Sequence, residues 1–214
     1  VAIATWQSYV LGPWTRNGTV RVQVANVAPQ VSGQIVELRV NDNQYVRQGD
    51  VLYVIDPSDY QVALDISKSQ VAAAAADLQV KEADSKRRQS LTTLSTSVEE
   101  QQTYAAAAAA SKATFEAAQQ QQTKAELDLK RTTVVSPVTG YVTNLLLRVG
   151  DFAVAGNSNI TVIDAESFWI DGYFEETKMA RICVNDRAEA QLMGYSPPIL
   201  GRVETVTRGV SVAN

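Results

Sequence analysis

The acidic pairs Glu99-Glu100 and Glu175-Glu176, and the neighbours Asp56 and Asp59, are the side chains whose types and spacing could do acid–base chemistry. Each lies near the start of an expected helix, where the helix dipole favours negative charge, and that plainer role is the better reading. Histidine is absent, which removes Ser-His-Asp and Cys-His nucleophilic arrangements and His-based metal sites. Cys183 is the single cysteine, so no disulfide forms within the chain and no base activates the thiol. In the run Ile182-Cys183-Val184 it reads as a small buried apolar residue. Gly-rich phosphate loops are missing. A net charge of −4, with Lys and Arg scattered, gives no expectation of a nucleic-acid partner. The chain is therefore expected not to be an enzyme, with no catalytic, cofactor-binding or metal-binding residue and no cofactor.

What the sequence does carry is a repeat. Val27–Asp56 and Val134–Asp164 align at one offset, placing Gly33, Ile35, Leu38, Val40, Asn43, Val46 and Gly49 on Gly140, Val142, Leu145, Leu147, Gly150, Ala153 and Gly156. Both copies close on Val-Ile-Asp, the second after one inserted residue. Short apolar runs broken by Asn41-Asp42-Asn43 and Gln48-Gly49-Asp50 predict several small strands. Gly33, Gly49, Gly140, Gly150 and Gly156 are read as turn positions that need a permissive backbone. Half a sandwich cannot cover its own apolar face, so the two copies are expected to pack on each other.

Between the copies lies a long helical stretch. Tyr60, Leu64, Ser67, Val71, Ala74 and Leu78 step alternately by four and three, as do Tyr104, Ala108, Ser111, Phe115, Ala118, Gln122, Ala125 and Leu129. That spacing is the seam of a left-handed coiled coil, here rich in Ala. Small knobs let helices approach closely but bury little area. The run Leu91–Thr96, dominated by poor helix formers, separates the two segments, and Ser97 stands three residues before Glu100 as in a capping box. The prediction is one helix from Ser58 to about Ser90, a tip, and a second from Val98 to about Arg131. Each arm is then roughly 50 Å long. Gln119–Gln122 and the Ala faces are expected to let neighbouring hairpins pack side by side.

Thr15–Ala28 alternates through Val20, Val22 and Val24 and predicts one half-buried strand. Strands are also expected at Phe168–Ile170, Tyr173-Phe174, Ala188–Met193 and Ile199–Val206, with a short helix over Glu175–Ile182. The first residues, VAIATWQSYVLGPW, are apolar with Trp6, Tyr9 and Trp14. They read equally as the outer end of a membrane anchor whose body lies upstream or as an ordinary first strand. The last strands look like a barrel that continues past Asn214.

The halves Pro29-x-x-x-Gly33-x-Ile35 through Gly49-Asp50-x-Leu52-x-x-Ile55-Asp56, and Ser136-Pro137-x-x-Gly140-x-Val142 through Gly150-Asp151, split by a helical insert, resemble the periplasmic adaptor (membrane fusion) proteins of bacterial efflux and secretion systems. Val31-Ser32-Gly33, Asp42-Asn43-Gln44, Val142-Thr143-Asn144-Leu145 and Glu175-Glu176-Thr177-Lys178 are similar to the subfamily of aromatic carboxylic acid efflux adaptors. The resemblance implies an elongated mixed α and β fold. An antiparallel coiled-coil hairpin (57–133) is inserted between two halves of a lipoyl-like β-sandwich (29–56 plus 134–164). A partial β-barrel (15–28 plus 165–214) follows, and 1–14 is the end of an anchor or a linker.

It further implies a subunit of a tripartite pump for small molecules, aromatic acids or drugs. Such a subunit stands in the periplasm of a Gram-negative bacterium, held to the inner membrane by an upstream N-terminal anchor. Its partners are an inner-membrane transporter, an outer-membrane channel and further copies of itself in a ring, trimeric or hexameric. In such adaptors the hairpin tip meets the channel, which points to Arg87, Leu91 and Ser97, with Arg88 as a second candidate for the Arg. On the residues alone, Arg87 could equally be a solvated cation, Leu91 a plug of the tip, and Ser97 an ordinary cap. Three other plans compete with this one. A lipoyl or biotinyl carrier needs a Lys that neither copy has. The others are a type I secretion adaptor and a coiled-coil scaffold with no transport role.

Overall fold

The computed structural model describes residues 12–90 and 97–207. The described residues form two compact units, one within 22–167 and one from 12–21 with 168–207.

In the larger unit, two four-stranded sheets face each other. One runs β2 (Val24–Val27), β9 (Ile160–Asp164), β7 (Gly140–Thr143), β4 (Tyr45–Val46); the other runs β6 (Thr133–Val135), β5 (Val51–Ile55), β3 (Gly33–Leu38), β8 (Phe152–Ala153). Each sheet takes its long strands from one repeat and its last short strand from the other. The copies are thus interleaved, and the same hydrogen bonds hold both crossings. The Ile35 N–H donates to the Asp151 carbonyl and the Gly150 N–H to the Ile35 carbonyl, both at 2.8 Å. At the equivalent positions the Val142 N–H donates to Gln44 and the Asn43 N–H to Val142, both at 2.9 Å. Asn43 (φ 61°) and Gly150 (φ 99°) occupy the same left-handed position.

Ile35, Val46, Leu52, Tyr53, Ile55, Val142, Ala153, Ile160 and Val162 fill the space between the sheets. The register of β5 shifts between Val51 and Tyr53, and this irregularity lets consecutive Leu52 and Tyr53 both turn inward. The closing aspartates act alike. Asp56 Oδ1 accepts from the Ser58 N–H and Asp164 Oδ1 from the Glu166 N–H, each at 2.9 Å. Both copies therefore end in the same side-chain turn.

At Asp56 the chain leaves the sandwich for helix α1 (Ser58–Gln89), and it returns along α2 (Val98–Lys130) to β6. Every expected seam position is at least partly buried, and the 4-3 stepping runs on through Lys81, Ser85 and Arg88 on α1 and starts at Gln101 on α2. Midway, the Ser111 hydroxyl donates to Asp77 Oδ2 at 2.6 Å, a polar tie across a seam of small residues.

The smaller unit holds two antiparallel pairs. β1 (Gly18–Arg21) lies beside β10 (Trp169–Gly172), and β11 (Arg187–Ala190) beside β12 (Ile199–Arg202). A single helical turn, α3 (Glu176–Met179), stands between β10 and β11.

Four expectations are corrected. The strand expected over Thr15–Ala28 is two, because its partner changes from β10 to β9 at Val22-Gln23. β2 thus supplies the edge of the sandwich, in the position that β6 holds in the other sheet. The helix over Glu175–Ile182 shrinks to four residues, and a turn follows at once. Cys183 is exposed, because that turn takes its N–H to Asp186 Oδ2 at 2.7 Å and leaves its side chain outside. Gly33 and Gly140 open strands; the turn role holds at Gly49, Gly150 and Gly156, all with positive φ. A Cβ on Gly33 would sit 2.6 Å from Ile55 Cγ2, and one on Gly140 would run into the Ile163 carbonyl oxygen. Those two glycines serve close packing.

Candidate partner-binding site at the hairpin tip

The described tip is a meeting of helix ends. Lys86, Arg87 and Arg88 lie in the last turn of α1, and Glu99 and Glu100 in the first turn of α2. Each set opposes the dipole end it sits on, so both helix termini are favoured by charge. Ser97 is the N-cap of α2: its extended backbone (φ −81°, ψ 156°) brings Oγ to accept the Glu100 N–H at 3.1 Å.

The two candidate arginines separate clearly. Arg88 points across the hairpin. Its Nη1 lies 3.1 Å from Glu100 Oε1, its guanidinium 5.0 Å from the Tyr104 ring centre, and its carbonyl accepts from Gln101 Nε2 at 3.4 Å. Arg87 points out. Its side chain is 71% exposed, with one ion pair to Asp84 at 3.3 Å on its own helix. A pair that open to water holds the side chain weakly and leaves the planar fork of donors free to turn toward a partner. Leu91 lies outside the described residues. The candidate site therefore presents an exposed Arg87 beside a capped helix start, while Arg88 links the two helices. The clasp of Glu100 and Tyr104 on Arg88 was not read from the sequence, where the seam spacing through Arg88 and Tyr104 was its one available signal.

At the other end of the hairpin, the Tyr60 hydroxyl donates to the Ser32 carbonyl at 2.7 Å. This fixes α1 to the sandwich beside an open groove lined by Gln34, Asp56, Asp59 and Phe152. The Asp56 carboxylate there is held below its ordinary range by the Ser58 hydroxyl and then by the Ser58 N–H. Its Oδ1 is engaged in starting the helix. Among the described residues no three His, Cys, Asp or Glu side chains gather as metal ligands, and no helix is long and apolar enough to cross a membrane.

Comparison with known proteins agrees with this architecture. Residues 23–165 match the barrel-sandwich hybrid domain of RND membrane fusion proteins, and residues 167–214 match the AAEA-like β-barrel domain. YdhJ, an uncharacterized protein of Escherichia coli (strain K12), is 37% identical over 205 residues, spanning 96% of this chain and 72% of that protein. Among solved structures, the membrane fusion protein Spr0693 from Streptococcus pneumoniae R6 shares the fold at a TM-score of 0.69 and 19% identity, over 90% of this chain and 82% of its own. The periplasmic adaptor EmrA does so at 0.54 and 16%, over 91% and 88%.

Proposed function

The chain belongs to the RND-type membrane fusion proteins, and from that premise we propose that it is the periplasmic adaptor of a tripartite pump, joining an inner-membrane transporter to an outer-membrane channel. It stands in the periplasm of a Gram-negative cell, tied to the inner membrane by a segment upstream of the described residues. Its work is mechanical: it converts no substrate, takes no cofactor, and forms part of a conduit wall. The cargo is small molecules, aromatic acids before other drugs, a choice supported by the match of 167–214 to the AAEA-like barrel.

The observation that carries the reading is the hairpin. It has helices of 32 and 33 residues, about 50 Å each, rooted between interleaved halves of a sandwich and ending in an outward Arg87. Arg87, Leu91 and Ser97 are assigned to the channel contact, and Arg88 to holding the tip. A ring of identical copies is supported by a second stripe on α1. Val62, Ile66, Ser69, Ala73, Ala76 and Val80 repeat the four-three spacing on the outer face, all exposed. A solitary hairpin needs no apolar outer seam; one that packs beside a neighbour does.

The test is a pull-down of the full-length, membrane-anchored protein. A transporter and an outer-membrane channel are expected to co-purify, the channel crosslinking from position 91. Recovery of neither would overturn the proposal.

A further inference from the structure

In the smaller unit, Trp14 is clamped between two cations. The Arg16 guanidinium lies 5.5 Å and the Lys178 ammonium 5.0 Å from its ring centre. Lys178 Nζ also donates to the Trp14 carbonyl at 3.4 Å and pairs with Glu175 at 3.4 Å. The segment that presents the indole is fixed, since the Thr15 hydroxyl donates to the Tyr173 carbonyl at 2.6 Å and the Tyr173 N–H to Asn17 at 2.9 Å. The fixing covers most of Lys178, whose side chain is 24% exposed, yet leaves the rest of the cluster at the surface. Trp14 remains 39% exposed and Arg16 is open to solvent.

An exposed indole flanked by cations suits the boundary layer of a bilayer. The ring sits at headgroup level while the cations meet phosphates. The chain immediately before it has the same character, with Trp6 and Tyr9 in an apolar run. The protein as a whole is acidic, so a general electrostatic attraction to anionic lipid cannot substitute for this patch. Glu175 is engaged by Lys178, which leaves Arg16 as the cation of the cluster most open to a headgroup.

We propose that Trp14, Arg16 and Lys178 form a lipid-contact patch that rests the smaller unit on the surface of an anionic bilayer. This rests on the membrane-tied part of the adaptor reading, but it needs neither transporter nor channel.

The test is co-sedimentation of the full chain with phosphatidylethanolamine vesicles containing phosphatidylglycerol, against phosphatidylcholine vesicles. The anionic vesicles are expected to bind more protein, with the difference lost at high salt. Arg16→Gln, at an exposed site that leaves folding intact by circular dichroism, is expected to lower partition about fivefold. Trp14→Ala is expected to weaken binding to both vesicle types. Binding unchanged in Arg16→Gln, or equal on both vesicles, would overturn the proposal. So would competition by inorganic phosphate at matched ionic strength, which would mark a soluble-anion site instead.

Discussion

Gly33 and Gly140 hold the same place in the two repeats and carry different constraints. The space a Cβ needs at Gly140 is taken by backbone, the Ile163 carbonyl, which cannot move without breaking the β7–β9 ladder. At Gly33 it is taken by the end of the Ile55 side chain, which can shift. Gly140→Ala is therefore expected to cost about 3 kcal/mol or more and Gly33→Ala about 1 kcal/mol, read from thermal unfolding. Tyr53 shows the opposite case of a polar atom the fold would be better without. Its hydroxyl and the Asn159 amide nitrogen are buried beside each other without reaching full hydrogen-bond geometry. Burial pushes the phenol above its ordinary value of 10.0, and the Asn159 amide offsets only part of that rise. Tyr53→Phe is expected to be neutral or to stabilise by up to about 1 kcal/mol. The sign with pH follows from the raised value. The unfolded phenol loses its proton first, so the native state is the one that holds more protons above pH 10, and stability falls as pH rises through that range. A melting series across that range should slope down in the wild type and less steeply in Tyr53→Phe.

Along the hairpin, spacing made the buried face readable. The four-three pattern of apolar and small residues marks positions that point inward whatever their neighbours do, and all of them do so. What it could not show was which polar side chains meet across the seam, because Asp77 to Ser111 and Arg88 to Glu100 depend on the axial setting of one helix against the other. Alternation failed at Val20, Val22 and Val24 for a related reason. A strand keeps its period when its pairing partner changes, so the pattern crosses from one unit to the other without a mark. Cys183 was misplaced because an apolar run says nothing of the Asp186 turn that lifts it out. The two arginines at the tip should now separate by experiment. Arg88→Ala is expected to lower hairpin stability by about 1 kcal/mol, losing an ion pair and a cation–π contact. Arg87→Ala should leave melting unchanged and reduce channel crosslinking. The outer stripe makes a distinct prediction. Replacing Val62, Ile66 and Val80 with Gln should leave helicity intact by circular dichroism and shift the protein toward monomer in sedimentation velocity. Unchanged self-association would remove the stripe as a contact between copies.

Across the sandwich unit, the consequence of interleaving is that neither repeat is a folding unit. The repeat itself was plain in the sequence, since matching glycines and apolar positions recur at one offset. The exchange of short strands was not, because β4 and β8 are two residues long and carry no signal of which sheet they join. Each four-stranded sheet loses both edge strands and its partner sheet if the other half of the chain is missing, leaving Leu52, Tyr53 and Ile55, or Ile160 and Val162, with nothing to bury against. Such a half cannot offset its own conformational entropy. Covalent continuity through the tip adds only the advantage of a high effective concentration, because the hairpin seam and both crossings already hold the halves together. A chain cut at a protease site placed between Ser90 and Ser97 should therefore stay one particle in gel filtration and keep its circular dichroism, with melting that now falls on dilution. The halves 1–90 and 97–214 expressed separately should each lack the sheets of the sandwich and regain them on mixing. Native sheet in either half alone, or separation of the cut chain at micromolar concentration, would show that the copies are self-sufficient and that their crossing contributes little.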